Sequence, residues 1–157
     1  MPTDCRYTRM SYTIHLRINQ TGTDFFGMVE QTVWHYANGG TWSYNNGEMV
    51  LTMGGSGTSG TLRFKSASGD MVLVAMGVHN YKRWCDIVTD LQPKDTGMAI
   101  HPTYYQDSGV AGNRNDMLWK QLPKIQKTDS KGKSFSVNFF KEDGNNLWAE
   151  IDLASSV

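Results

Sequence analysis

A mainly β domain, built as two antiparallel sheets bridged by a helix–loop–helix, is predicted by three observations. Tyr12, Ile14, Leu16 and Ile18 alternate with Thr13, His15, Arg17 and Asn19, the period-two signature of a half-buried strand. Short apolar stretches of strand character recur on both sides of one segment, Asn80 to Leu91, in which the apolar spacing shifts to three and four. Turn residues separate the stretches, most clearly Asn45-Asn46-Gly47 and Asp143-Gly144-Asn145-Asn146.

The elements follow in order. Residues 1–10 have no apolar pattern and are read as a disordered extension, leaving 11–157 as one domain. After the first strand, a second covers Met28–Tyr36. Ala37-Asn38-Gly39-Gly40 breaks it and Thr41-Trp42 resumes. Asn46 and Gly47 accept the positive φ of a type I′ hairpin. Strands follow at Glu48–Met53, Thr61–Ser66 and Met71–Val78, the last apolar on both faces and therefore central. Tyr81, Trp84, Cys85, Val88 and Leu91 then predict an amphipathic helix of about three turns, ended by Pro93 and Gly97. A second short helix is expected over Asp95–Ile100, closed by Pro102. Residues 106–133 are polar and give no firm element. Ser134–Lys141 and Leu147–Leu153 return to strand character.

A chain of 157 residues is one domain by size. Lys+Arg and Asp+Glu both number 15, so the basic excess needed for nonspecific nucleic-acid or anionic-membrane binding is missing. The longest apolar run, Met71–Met76, is too short for a membrane span or the core of an export signal, and a cytoplasmic location is expected. Cys5 and Cys85 are too few for a disulfide framework, and Cys85 is expected to be a buried, inert thiol. His15, His35, His79 and His101 have no metal-ligand spacing, so neither a metal nor a cofactor is expected.

Gly54, Gly55, Gly57 and Gly60 make the stretch Met53–Leu62 the barest backbone in the chain. Gly55, Gly57 and Gly60 match G-x-G-x-x-G, but the following Thr61-Leu62-Arg63-Phe64-Lys65 alternates as a strand. A dinucleotide site needs a helix N-terminus there. Lys-Ser/Thr is also missing after Gly60, which excludes a P-loop. A bare hairpin loop and a loop approached by another molecule both remain open. No G-x-S-x-G, H-E-x-x-H or Cys/His signature is present, and an enzyme is not expected. Asp86 and Asp90, four apart on the expected helix, read as a solvated face.

Five tryptophans, Trp34, Trp42, Trp84, Trp119 and Trp148, offer flat apolar faces. Ser56, Thr58, Asn38, Asn80 and Asp86 offer hydroxyl, amide and carboxylate groups near glycine-rich backbone. A saccharide, with one C–H face and a ring of hydroxyls, suits that combination. Each tryptophan could equally be core, and Asn80 could equally be a helix N-cap.

Three stretches carry a resemblance: Trp34–Trp42, Leu51–Phe64 and Gly77–Thr89. They resemble, in the same order and without gaps, motifs of the fungal fruit-body lectins. The resemblance covers residues 11–105 well and is weaker beyond. It implies an actinoporin-like β-sandwich, a homotetramer without enzymatic activity, and a cytosolic protein without a signal peptide. It also implies two sugar sites on opposite sides of the helix–loop–helix. The first, for N-acetylgalactosamine and the T-antigen disaccharide galactosyl-β1,3-N-acetylgalactosamine, maps onto Ala37, Ser56, Gly57 and Asn80, with His79 and Tyr81 shaping its wall. The second, for N-acetylglucosamine, maps onto Asp86, Ile87 and Thr89. Its Arg and Tyr positions fall on Val110 and Gln121 in an ungapped register, with Arg114 and Trp119 as substitutes. Glycans and glycoproteins are the implied partners. The same fold hosts pore-formers, but residues 1–10 are too short and polar to be an inserting helix; a scaffold that has lost sugar binding is the other alternative.

Overall fold

The computed structural model describes residues 11–34, 36, 39–106 and 113–155. Its strands are β1 (Tyr12–Gln20), β2 (Phe26–Trp34), β3 (Gly40–Asn45), β4 (Glu48–Met53), β5 (Ser59–Ser66), β6 (Met71–His79), β7 (Lys82–Val88), β8 (Lys124–Thr128), β9 (Ser134–Lys141) and β10 (Asn146–Ser155). Between β7 and β8 lie α1 (Gly97–Ile100), a 3₁₀ turn (His101–Tyr105) and α2 (Arg114–Lys120).

The strands form a six-stranded sheet, β3-β4-β1-β10-β9-β8, and a four-stranded sheet, β2-β5-β6-β7. Two sheets joined through a helical connector are the expected architecture. The pairing is antiparallel except at the centre of the larger sheet, where β1 and β10 run parallel, Ile14 opposite Leu147 and Ile18 opposite Ile151. The alternation in β1 puts Tyr12, Ile14 and Leu16 in the inter-sheet core with Leu51, Val74, Cys85, Ile87, Val137 and Ile151. A second cluster, Leu73, Ala75, Trp84, Ile100, Tyr104 and Leu118, lies between the outer face of the smaller sheet and the connector. β6 is therefore covered on both sides, as its unbroken apolar run predicts.

The segment from Asn80 to Leu91 is not a helix. It is the edge strand β7, and Asn80-Tyr81 is the turn that leads into it. Arg83 to Ile87 are all buried, because one face meets the sandwich core and the other the connector. With both faces covered, the strand loses its alternation, and the remaining apolar spacing imitates a helix. Asn80 is accordingly no N-cap. Asp86 and Asp90 do not share a helical face: Asp86 is 2% exposed within the strand, whereas Asp90 lies beyond it with φ 58°. The second expected helix is present as α1, but Pro102 continues it as 3₁₀ rather than ending it.

The connector is pinned to the smaller sheet by hydrogen bonds. The buried His101 ring contacts Thr32 Oγ1 through Nδ1 and Ser59 Oγ through Nε2, both at 2.8 Å, and Ser59 Oγ also meets Tyr105 Oη at 2.6 Å. Tyr105 stacks on Trp34, centroids 4.3 Å apart and 6° from parallel. Glu30 holds the start of α1, accepting from Gly97 N–H at 2.6 Å and Met98 N–H at 3.2 Å.

Candidate functional site

The glycine loop connects β4 to β5 with no helix after it, so the phosphate-cradling geometry is absent from this turn. Its backbone is tied on both sides. Gly57 N–H donates to Val78 O at 2.8 Å, and Gly54 N–H donates to Gly39 O at 2.9 Å. Thr58 Oγ1 donates to Tyr36 O at 2.6 Å. Gly57 sits at φ 102°, a conformation that L side chains rarely adopt, and a Cβ there would stand 2.5 Å from the Tyr36 ring. Gly60 is needed for a different reason: its Cβ would stand 2.7 Å from the Trp42 indole.

Facing the loop is the two-residue turn Asn80-Tyr81, with φ 50° and 69°. Both angles being positive is the type I′ arrangement that suits a tight hairpin, but a bulky tyrosine there is an outlier. The turn is fixed to the loop by one bond, Tyr81 N–H to Ser56 Oγ at 2.9 Å. Ser56, Gly57, Asn80 and Tyr81, far apart in sequence, thus meet at one end of the sandwich, with Tyr36 beside them. Asn80, Tyr81 and Tyr36 are exposed, while Ser56 and Gly57 are half-buried. Ala37 lies outside the described residues. His79 borders the turn on the connector side, and burial lowers its pKa, favouring the neutral ring. Such a surface offers hydroxyl, amide and backbone groups beside aromatic rings, with no strong charge at its centre.

A second, separate cleft of about 260 Å³ is lined by Asp86, Val88, Asn113, Arg114, Met117 and Lys127. At its floor, Asp86 accepts from Tyr104 Oη at 2.7 Å and pairs with Lys127 Nζ at 3.3 Å. Burial, followed by the Asp86 charge, holds the Tyr104 phenol well above its ordinary pKa, so Tyr104 remains a donor. Arg114 shares the cleft and also reaches Thr103 Oγ1 at 3.2 Å. The cleft can therefore present a carboxylate, a guanidinium and an ammonium to a polyhydroxylated ligand.

Other candidates for this second location are placed differently. The Ile87 side chain is fully buried in the inter-sheet core, so only its backbone is available. Thr89 lies just past β7 and donates to Asp90 at 3.3 Å. Gln121 is engaged elsewhere, donating to His79 O at 2.7 Å. Val110 lies outside the described residues. Trp119 does not line the cleft; it packs against His79 with ring centroids 4.3 Å apart. Sequence reasoning missed Lys127 and Tyr36. Lys127 falls in the polar stretch 106–133, which gives no firm element in the sequence, and Tyr36 is visible only once Gly57 is known to lie under its ring.

Among the described residues, no group of three or more His, Cys, Asp and Glu side chains is arranged to hold a metal ion, and no helix is long and apolar enough to cross a membrane.

Comparisons with known proteins agree with this architecture. The family model for the fungal fruit body lectin matches residues 10–151. The chain is 51% identical over 144 residues to the Boletus edulis lectin, covering 90% of this chain and 98% of that protein. Among solved structures, a mutated form of the Xerocomus chrysenteron lectin superposes with a TM-score of 0.87 at 50% identity, covering 92% of this chain and 98% of that one. The wild-type Xerocomus chrysenteron lectin gives 0.85 at 49% identity, with 90% and 98% covered. The chain belongs to the fungal fruit body lectin family, whose members are carbohydrate-binding proteins and not enzymes.

Proposed function

We propose that this lectin binds N-acetylgalactosamine and galactosyl-β1,3-N-acetylgalactosamine at the glycine-loop end, and N-acetylglucosamine at the Asp86 cleft. The observation that carries the reading is the convergence of Ser56, Gly57, Asn80 and Tyr81 through the Ser56–Tyr81 hydrogen bond. The bare loop lets a sugar ring approach the backbone closely. Ser56 Oγ still has acceptor and donor capacity beyond that bond, and the Asn80 amide can both donate and accept. Galacto and gluco sugars differ in whether the fourth hydroxyl is axial or equatorial. Asn80 reads that orientation from the rim, with His79 and Tyr81 shaping the wall, and Ala37 is a further contact on the strength of the family resemblance alone. In the second cleft Asp86 accepts from sugar hydroxyls and Arg114 donates to them, with the backbone at Ile87 and Thr89 on the border.

Single sugar sites hold their ligands at roughly 4–8 kcal/mol, the millimolar to micromolar range. A homotetramer on a glycan-bearing surface would gain about 10²–10⁴ in avidity without new contacts. We therefore infer a cytosolic, multivalent glycan cross-linker that does not insert into membranes, and defence against glycan-bearing organisms suits it. A glycan array tests the reading. Signal is expected on terminal N-acetylgalactosamine, on the T-antigen disaccharide and on terminal N-acetylglucosamine. Silence on every terminal N-acetylhexosamine would refute it. Light scattering at the tetramer mass tests the assembly.

A further inference from the structure

Trp119 is 59% exposed, the most accessible of the tryptophan side chains among the described residues. It is nevertheless held in place. Leu118, its neighbour on α2, is buried in the cluster beneath the connector and fixes the rotation of the helix. The helix ends at Gln121, whose left-handed backbone (φ 49°) turns the chain back towards β6. There the Gln121 side chain donates to His79 O at 2.7 Å, and its own carbonyl accepts from Arg83 Nη1 at 2.9 Å. The indole meets the His79 ring at 85°, with 4.3 Å between centroids. An edge-to-face contact covers little of the indole, so most of that fixed aromatic surface faces solvent.

His79 is followed immediately by Asn80 and Tyr81, the turn that Ser56 ties to the glycine loop. The indole is thus a rigid extension of the loop site, joined to it through one residue. The helix end beside it is braced by the two hydrogen bonds of Gln121. A rigid aromatic face beside a sugar-sized polar site suits the C–H face of a second sugar ring, which stacks at small entropic cost.

We propose that Trp119 forms an outer subsite of the glycine-loop site and stacks on the neutral hexose attached to the N-acetylhexosamine bound there. This rests on the loop-site reading above. It makes Trp119 a specificity-determining residue for glycan length, separate from the Asp86 cleft. A hexose is favoured over the peptide of a glycoprotein because a flat aromatic face matches the C–H face of a sugar ring.

Calorimetric titration of wild type, Trp119→Ala and Trp119→Phe tests it, using three probes: N-acetylgalactosamine, galactosyl-β1,3-N-acetylgalactosamine, and a threonine peptide bearing only N-acetylgalactosamine. Trp119→Ala should weaken the disaccharide about three- to tenfold, the worth of one aromatic contact, and leave the monosaccharide within about twofold. Trp119→Phe should recover most of the loss. The proposal is overturned if the disaccharide is unaffected, or if monosaccharide and disaccharide weaken equally, which would make the indole part of the inner site or of the fold. A loss confined to the glycopeptide would make peptide the occupant and overturn it too. If wild type binds none of the probes, the loop-site reading itself fails and this subsite falls with it.

Discussion

Tyr81 holds a left-handed backbone conformation, φ 69°, and donates its N–H to Ser56 Oγ at 2.9 Å. Such a conformation costs a non-glycine residue about 1–3 kcal/mol and persists where surrounding structure over-determines it. Here the strained residue is 69% exposed and sits in the wall of the candidate sugar site. Replacing Tyr81 with glycine should relieve the strain, so stability in urea should stay level or rise by up to about 1 kcal/mol. Affinity for N-acetylgalactosamine should fall at the same time. A drop in stability with unchanged affinity would show that the tyrosine serves packing instead.

Gly57→Ala acts on the opposite side of the same site. The added methyl meets the Tyr36 ring, which is exposed and can swing away, but φ 102° cannot be relieved without moving the loop. The variant should lose about 1–3 kcal/mol of stability and most of its affinity for N-acetylgalactosamine. Gly47→Ala is the control. It carries a similar strain at φ 82° in the β3–β4 turn, with open space around it. Its stability should fall comparably and its affinity stay intact. Equal affinity losses in the two variants would mean that the loop is only a turn.

The glycine loop was legible in the sequence as a turn, because glycine strips the backbone bare locally, but its meeting with Asn80 and Tyr81 was not, since Asn80 reads locally as the start of a helix and only the family resemblance grouped them. The period-two strands were legible from their local pattern, as was β6 with its unbroken apolar run. β7 was not, because burial of both faces removes the only periodicity that separates strand from helix. Its buried Asp86 reads with Asp90 as a solvated face until Tyr104 and Lys127 are seen to pair with it, and the neighbouring Arg83 gives its two terminal nitrogens to Gln121 and Glu142. The parallel pairing of β1 with β10 left no local trace either. It joins residues more than 130 positions apart, such as Thr13 and Asn146, and depends on the global closure of the sheet.

Asp86 has two partners that separate structure from binding. Tyr104→Phe removes a buried donor and leaves one carboxylate oxygen without its bond, a loss of about 1–3 kcal/mol. Asp86→Asn keeps an oxygen able to accept from Tyr104 but removes the charge that faces Lys127 and the cleft. It should abolish N-acetylglucosamine binding at a smaller cost in stability, leaving N-acetylgalactosamine binding at the loop site unchanged. Unchanged affinity for N-acetylglucosamine would place that sugar elsewhere. Urea titration and calorimetry on the same preparations give both readings.

Cys85 should be chemically silent in the folded protein. Burial, then the Asp86 charge, pushes its pKa up to about 12, and its Sγ donates to Leu122 O at 3.4 Å. In a Cys5→Ser background, Ellman's reagent at pH 8 should find no reactive thiol in native protein and one per chain in denaturant. A fast-reacting native thiol would mean that the inter-sheet core opens beside β7.

Glu30 links acid stability to the connector. Its burial favours the neutral acid, but the Arg63 side chain at 2.7 Å and the N–H groups of Gly97 and Met98 outweigh this and hold the pKa below the ordinary carboxylate value. A carboxylate with a depressed folded-state pKa contributes stability that is present above its unfolded pKa, about 4.3, and is lost as pH falls through the folded value. Asp70 behaves alike, its pKa held down by the ammonium groups of Lys131 and Lys133. The urea midpoint should therefore be level from about pH 7 to pH 5 and fall below about pH 4. Glu30→Gln should be less stable than wild type at neutral pH, because a neutral amide replaces the charge facing Arg63. Its decline on acidification should be shallower, since one of the groups that must take up a proton is gone. Parallel decline in the two proteins would show that Glu30 does not couple the connector to pH.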